Sequence, residues 1–398
     1  MVVHLLAKFG RVLDDMPFHK KQTIPEFVTR TYRNREEIDK GASGTIFKAI
    51  SPIHGSEVAL KVILVQHKRK KNPSFSWSKR GLKIKDNYET IPGVERKKVK
   101  NELQVWKRIN HASPFLVELY DYLDFQSEVW FVMPLYNTLA NFLSDFEYEH
   151  QAYLPMSVIK EFYAGILLAL RALNEFGVIH RDVKVENILI TNDLVVKLAD
   201  FGLCEFTHTP DGRRKHLVSK KGSFGTWYIA PPEAYILGSE YNESADMYSF
   251  CICMLTSKYV TPVWKIGEDC DINKNLLRGS VYETCYEKLT SGKWSLEEAE
   301  EFYWRLARMI PQDHSLGGAL LYDPHPWPTN RFEFSEFAKL CMKWKIEERL
   351  TAAGACDHPF MKESVKRWNK NVRMGMKYVR GLIDTFLGLE QVERHKVF

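Results

Sequence analysis

No uninterrupted apolar run in this 398-residue sequence approaches the roughly 20 residues that a bilayer-spanning helix requires, so no transmembrane segment is expected. A secretory signal is not expected either. The opening MVVHLLAKFGRVLDDM has a short apolar patch, but Asp14 and Asp15 follow it and no small-residue cleavage site appears. The seven cysteines (204, 251, 253, 270, 285, 341 and 356) are odd in number, scattered and without CxxC spacing. That argues against a disulfide framework and against a zinc site, and suits a reducing compartment, cytoplasm or nucleus. Internal repeats and low-complexity tracts are also absent.

What remains has the composition of a globular protein, with 45% hydrophobic and 27% charged residues. The formal net charge of +6 is unevenly spread. Twelve Lys or Arg residues against three acids lie between Gln66 and Lys100, in HKRKK, SKRGLKIK and RKKVK. The pattern reads as a solvated, partly mobile insertion at about 66–98, with a nuclear-import signal or a docking patch for acidic partners as the alternatives. Nucleic acid is not the expected partner, because no recognised nucleic-acid module accompanies the charge.

From Thr31 to about Tyr136 strands dominate. IFKAI at 46–50 and EVALKVILV at 57–65 are β-rich runs joined by the turn-type SPIHGS. VKNELQVWKRI at 99–109 interrupts them with apolar residues at helical spacing, and LVELYDYL and EVWFVM resume strand character. Beyond Leu139 helices take over. SVIKEFYAGILLALRALNEFG carries an apolar stripe at 158, 162, 166, 170 and 173, with Ser157 as N-cap and Gly177 as stop. A small strand-rich lobe followed by a larger helical one is the expected organisation.

The stretch VIHRDVKVENILITNDLVVKLADFGL, Val178–Leu203, sets charge among apolar runs, where an unpaired charge is costly. ILI and LVVKLAD read as two strands joined by TND, a hairpin that brings Asn187 and Asp200 together. One amide oxygen and one carboxylate suit Mg²⁺, which usually keeps waters and substrate phosphates as further ligands. Asp182 can then serve as a base, and Lys184 can neutralise charge on a transferring phosphoryl group.

HRDVKVEN at 180–187, ADFG at 199–202 and IAPPEA at 229–234 resemble the catalytic loop, the metal-binding loop and the end of the activation segment of eukaryotic protein kinases. The resemblance runs from about 31 to 362. It implies a two-lobed α+β fold: an N-lobe (31–136) of antiparallel sheet with one main helix, and a larger, mostly helical C-lobe (137–362). Residues 1–30 would be an extension and 363–398 a basic amphipathic tail. The doubled proline and the HRDVKVEN loop are also similar to those of kinases from large DNA viruses.

The resemblance implies ATP and Mg²⁺ as cofactors and Ser/Thr hydroxyls of proteins as acceptors. Gly41 and Gly44 correspond to two glycines of the phosphate-covering loop, with Asp39 in place of the first. Lys61, in VALK, corresponds to the lysine on the ATP phosphates, with Glu102 as its partner; a solvated helix face is the other reading of Glu102. Met133 would be the gatekeeper, Pro134 and Tyr136 the hinge, and Ile38, Ile46, Ala59 and Leu189 the apolar contacts of the adenine. Asp182 corresponds to the base, Asn187 and Asp200 to the metal ligands, and Lys184 and Thr226 to the Ser/Thr-specific pair. Since such catalysis is positional and electrostatic, Asp182→Ala or Lys61→Met should abolish phosphorylation and leave folding near normal.

Arg181 matches an arginine that commonly receives an activation-loop phosphate, for which Thr207, Thr209, Ser219 and Ser223 are the candidates. Glu233 and Arg349 correspond to a buried structural ion pair, and Asp246 to a buried aspartate supporting the catalytic loop. APPE stands where the family has APE, and Cys251 where it often has glycine. The long stretch from Asp246 to Arg349 resembles the insertion of cyclin-dependent and mitogen-activated kinases without a signature that assigns the group. Trp368, Val372, Met376, Val379, Ile383 and Phe386 fall at helical spacing, as a helix packed on the large lobe or a docking surface for a partner or membrane.

Overall fold

Strands open the described chain, directly after Thr31 and Tyr32. The computed structural model describes residues 31–259 and 331–396, apart from 42, 71–73, 79–80, 86–87, 126, 221–223, 227–228, 235–237 and 344. The 1–30 extension, Ser223 and the excess segment between Tyr259 and Arg331 therefore lie outside the described residues. In chain order come strands β1 (Arg33–Gly41), β2 (Gly44–Ser51), β3 (Ser56–Leu64), β4 (His67–Lys70), β5 (Ser74–Ser78), β6 (Gly81–Lys85) and β7 (Tyr88–Ile91), then helix α1 (Arg96–Ile109) and strands β8 (Asp121–Asp124) and β9 (Glu128–Pro134). There follow β10 (Asn137–Thr138), α2 (Leu139–His150), α3 (Met156–Glu175), β11 (Val178–Ile179), β12 (Ile188–Ile190), β13 (Val196–Leu198) and β14 (Glu205–Phe206). Helices α4 (Ala245–Tyr259), α5 (Arg331–Cys341), α6 (Ala352–Asp357), α7 (Pro359–Lys370) and α8 (Val372–Lys396) complete the order.

The chain divides into two compact units: one runs to Asn110 and resumes over Val117–Leu135, the other comprises His111–Leu116 and everything from Tyr136. His111–Leu116 and Tyr136, read from the sequence with the first lobe, thus group with the second. The short segment is tied there by its backbone: Leu198 N–H donates to Phe115 C=O at 2.8 Å, and Lys197 Nζ to Pro114 C=O at 2.8 Å.

In the first unit an antiparallel sheet runs β1-β2-β3-β9-β8. Period-two alternation sends Val58, Leu60 and Val62 of β3 into a core with Tyr32, Ala49, Leu123, Trp130 and Val132. Burying each such aliphatic side chain contributes about 1.5–3 kcal/mol. Val99, Glu102, Val105, Trp106 and Ile109 form the buried stripe of α1, where Trp106 packs against Phe131 and its indole N–H donates to Val117 C=O at 2.9 Å. Within the basic insertion β4 pairs with β7 and β5 with β6, all antiparallel. Each hairpin ladder provides backbone partners that charge composition alone does not reveal.

The second unit is built around α3, whose side chains are buried on nearly every face. That helix starts at Met156, with Pro155 as its N-cap and no side-chain cap bond, so Ser157 is not the cap. Pro155 suits the start because its fixed φ of −65° leads into the helix and its missing N–H forfeits nothing there. Gly177, at φ +67°, follows the last turn as expected. Helices α6, α7 and α8 pack on α3, with Trp368, Val379 and Phe386 buried. The predicted tail helix therefore packs on this unit.

Candidate active site

The first unit places Lys61 by strand register. Ile46, Lys61 and Phe131 are directly paired across β2, β3 and β9, and Ala59 and Met133 form the next pair on the same face. That face carries Ile46, Ala59, Lys61 and Met133 together, as the sequence anticipated. Pro134 closes β9 opposite Val58, and β10, which begins just after Tyr136, pairs with β12 so that Thr138 faces Leu189. Ile38 differs. It sits at an irregularity in the β1–β2 register and is 47% exposed. Gly41 pairs with Gly44 to close the hairpin, and Gly44, at φ +137°, approaches Val62 so closely that a Cβ would lie 2.7 Å from its carbonyl oxygen. Asp39 Oδ1 accepts the N–H of Lys40, a local bond within β1.

Lys61 Nζ lies 2.6 Å from Glu102 Oε1, and both residues are 3% exposed. Glu102 is thus paired within the buried stripe of α1 and not on a solvated face. Because the pair is buried, the structure leads to a different expectation for Lys61→Met from near-normal folding: losing the ammonium that faces Glu102 should cost about 3–5 kcal/mol.

The second unit assembles the residues of the opening motif. Ile188 pairs with Leu198 in the β12–β13 hairpin, and Ala199 N–H donates to Asn187 C=O at 2.9 Å, one residue before Asp200. Asn187 Nδ2 donates to the side-chain Oδ2 and the carbonyl of Asp182, each at 2.8 Å. The planar amide therefore turns its nitrogen to Asp182 and its oxygen away. Asp200 has φ +62° and Arg181 +67°, left-handed conformations that cost a non-glycine residue about 1–3 kcal/mol each and often mark functional positions. Among the described residues no group of three His, Cys, Asp or Glu side chains is placed to hold a metal. Asn187 and Asp200 supply one amide and one carboxylate oxygen, a donor set that fits Mg²⁺ completed by waters and phosphate oxygens.

Asp182, only 6% exposed, is held from several sides. Thr226 donates to its Oδ1 through N–H at 3.0 Å and through the hydroxyl at 2.7 Å. Lys184 Nζ stands 3.1 Å from Oδ2 and donates to Thr226 Oγ1 at 3.0 Å. A base, a cation and a threonine thus form one triangle. Beneath it, Asp246 accepts the N–H groups of His180 and Arg181 at 2.7 and 2.8 Å. Burial pushes its carboxyl above the ordinary range, and His180 and those two N–H groups oppose the shift. Glu233 and Arg349 meet through two bonds, at 2.6 and 2.9 Å.

Two contributors went unassigned in the sequence. His180 is fully buried; Asp182 N–H donates to its Nδ1 at 3.3 Å, which leaves Nε2–H to donate to Ala199 C=O at 3.0 Å. Gly225 comes so close to Asp182 Oδ1 that a Cβ there would overlap it. Their signal was their place inside HRD and GTWY. The phosphosite candidates fare unequally: Thr207 and Ser219 are each 1% exposed, whereas Thr209 is half-buried with its hydroxyl against the Asp211 carboxylate. Burial withdraws Thr207 and Ser219 from any modifying enzyme in this conformation.

A two-unit α+β fold with a five-stranded antiparallel sheet in one unit, and a loop in the other that brings Asp182, Lys184, Asn187 and Thr226 together, are features of a protein kinase fold. Residues 32–361 match the family described as the protein kinase domain, and the chain belongs to that family. Its relatives include the cyclin-dependent kinase 4 homolog of Caenorhabditis elegans, 26% identical over 340 residues that cover 83% of this chain and 71% of that protein. A probable serine/threonine-protein kinase of Dictyostelium discoideum is 28% identical over 236 residues, 54% of this chain and 44% of its own length. The serine/threonine-protein kinase RAD53 of Saccharomyces cerevisiae is 26% identical over 332 residues, 79% of this chain and 35% of that protein. The chain therefore spans less than half the length of the last two.

Proposed function

We propose that this chain is an active protein serine/threonine kinase, which transfers the γ-phosphoryl group of ATP to Ser or Thr hydroxyls of protein substrates. The observation that carries this reading is the Asp182–Thr226–Lys184 triangle. With Oδ1 bonded by Thr226, Asp182 presents a carboxylate of defined orientation that can accept the proton of an acceptor hydroxyl as it attacks. Lys184, held 3.1 Å from that carboxylate, places positive charge where the transferring group becomes negative. Asn187 and Asp200 would hold Mg²⁺, which neutralises phosphate oxygens when bound. Lys61, whose ammonium meets Glu102 at 2.6 Å, corresponds to the family's phosphate-contacting lysine. The names of the Dictyostelium and yeast relatives support the Ser/Thr assignment.

The test is a purified chain with labelled ATP, Mg²⁺ and both basic and acidic generic protein substrates, beside Asp182→Ala and Asp200→Ala. Phosphoserine or phosphothreonine from the wild type alone is the expected result, with each variant reduced at least about 10²-fold. Phosphotyrosine as the main product would overturn the specificity. Nucleotide binding without transfer would instead identify a pseudokinase, a fold retained for binding or allosteric control.

A further inference from the structure

We infer that Glu205 is a positioning residue whose carboxylate supplies, from within the chain, the anion that holds Arg181, so that the segment after the metal loop docks on the catalytic loop without a phosphate. The inference rests on the kinase reading above and concerns how that site is kept assembled.

Strand pairing makes the arrangement. β14 lies antiparallel to β11, with Phe206 opposite Val178 and Glu205 opposite Ile179, two residues before Arg181. The Arg181 side chain is 11% exposed, and each of its nitrogens has an acceptor nearby in the chain. Nε donates to Leu203 C=O at 2.6 Å, Nη1 donates to the Tyr241 hydroxyl at 3.1 Å, and Nη2 lies 3.6 Å from Glu205 Oε2. The rings of Phe224 and Tyr241 stand 5.9 and 6.0 Å from the guanidinium carbon. The other oxygen of Glu205 accepts from Lys215 Nζ at 3.2 Å. One carboxylate thereby links a catalytic-loop arginine to a lysine ten residues further on.

An added phosphate at Arg181 would have to displace this carboxylate or sit beside it, and like charges at that separation repel strongly in a partly buried site. Two of the four candidate hydroxyls, Thr207 and Ser219, are buried, and that of Thr209 is engaged by the Asp211 carboxylate. Backbone bonds complete the clamp: Thr207 N–H donates to Gly177 C=O at 2.8 Å, and Lys215 N–H to Thr207 C=O at 2.7 Å. Arg181 is also covalently next to Asp182, and its N–H is fixed by Asp246. Whatever holds its side chain thus helps set the orientation of the base.

The experiment uses the full chain, treated with phosphatase until its intact mass is that of the unmodified polypeptide. Transfer to a protein substrate is followed from the first seconds, and wild type is compared with Glu205→Gln and Glu205→Asp. Unmodified wild type should transfer without a lag, at a rate that prior autophosphorylation does not raise. Glu205→Gln should lower kcat about 10- to 100-fold with the KM for ATP within about twofold, and Glu205→Asp should recover most of the loss. Hydrogen exchange without nucleotide should speed up in Glu205→Gln over 178–182 and 203–218, and not in the sheet of the first unit. An unmodified wild type that is silent until phosphorylated, a Glu205→Gln variant with wild-type kcat, or unchanged exchange over those residues would each overturn the inference. Exchange needs no catalysis. A wild type that transfers nothing in either phosphorylation state would sink the kinase reading, while exchange alone still decides the clamp.

Discussion

Lys61 and Glu102 in the first unit meet through one bond at 2.6 Å, whereas Arg349 and Glu233 in the second meet through two, at 2.6 and 2.9 Å. Arg349 also donates to Lys343 C=O through Nε at 3.0 Å and to Ser244 C=O through Nη1 at 3.3 Å. Both pairs are buried, so neither is a surface contact of small value. The chemistry of the cation separates them. A guanidinium fork is committed by its geometry to a bidentate partner, and the further bonds of Arg349 tie it to two other segments. An ammonium is a compact charge that can keep its carboxylate and also face phosphate. The second pair is built to hold the fold; the first suits a site that must exchange partners.

Substitutions can break or sharpen this contrast. The largest effect belongs to Lys61→Met, which should lower phosphotransfer by about 10³-fold and unfolding free energy by about 3–5 kcal/mol, as read from transfer assays and denaturant titration. Adding Glu102→Leu should recover most of that stability, because an apolar pair avoids burying an unpaired charge, and none of the activity. Recovery of transfer in the double variant would refute the role given to Lys61. Arg349→Leu should cost a similar 3–5 kcal/mol in the second unit, with the KM for ATP of the folded fraction unchanged. Arg349→Lys keeps the charge and loses the fork, so a smaller loss of about 1.5–3 kcal/mol is expected in the same titration. Thr138→Ala lies outside both pairs. It removes the α2 cap bond to Asn141 N–H and should cost about 1 kcal/mol in melting experiments with kcat unaltered.

The parts of the site that the sequence made legible are those set by short spans. Asn187 lies beside Ala199, one residue before Asp200, because the five residues Thr191–Val195 join two strands of opposite direction, and Lys61 shares a face with Ala59 because strands alternate. Where the chain closes over long separations the signal fades. The Lys61–Glu102 bond spans 41 residues, and only the family resemblance, not helical spacing, pointed to that pairing over a solvated acid. Glu205 passed unnoticed for the same reason: its partner Arg181 stands on a different strand-and-loop unit. The strands within the basic run at 67–91 were not legible because repeated Lys and Arg weaken strand propensity, yet a hairpin can satisfy its own backbone. Ser157 lost the cap to Pro155 through a preference for φ that outweighed a hydroxyl.

By itself, then, the order of residues determined the class of fold and the candidates for the active side chains, because alternation, turn residues and motif spacing act over a few neighbours at a time. Tertiary structure alone decided which hydroxyls are withdrawn and which carboxylate answers Arg181. Those properties depend on solvent exclusion and on distances between segments far apart in the chain, and local sequence carries neither.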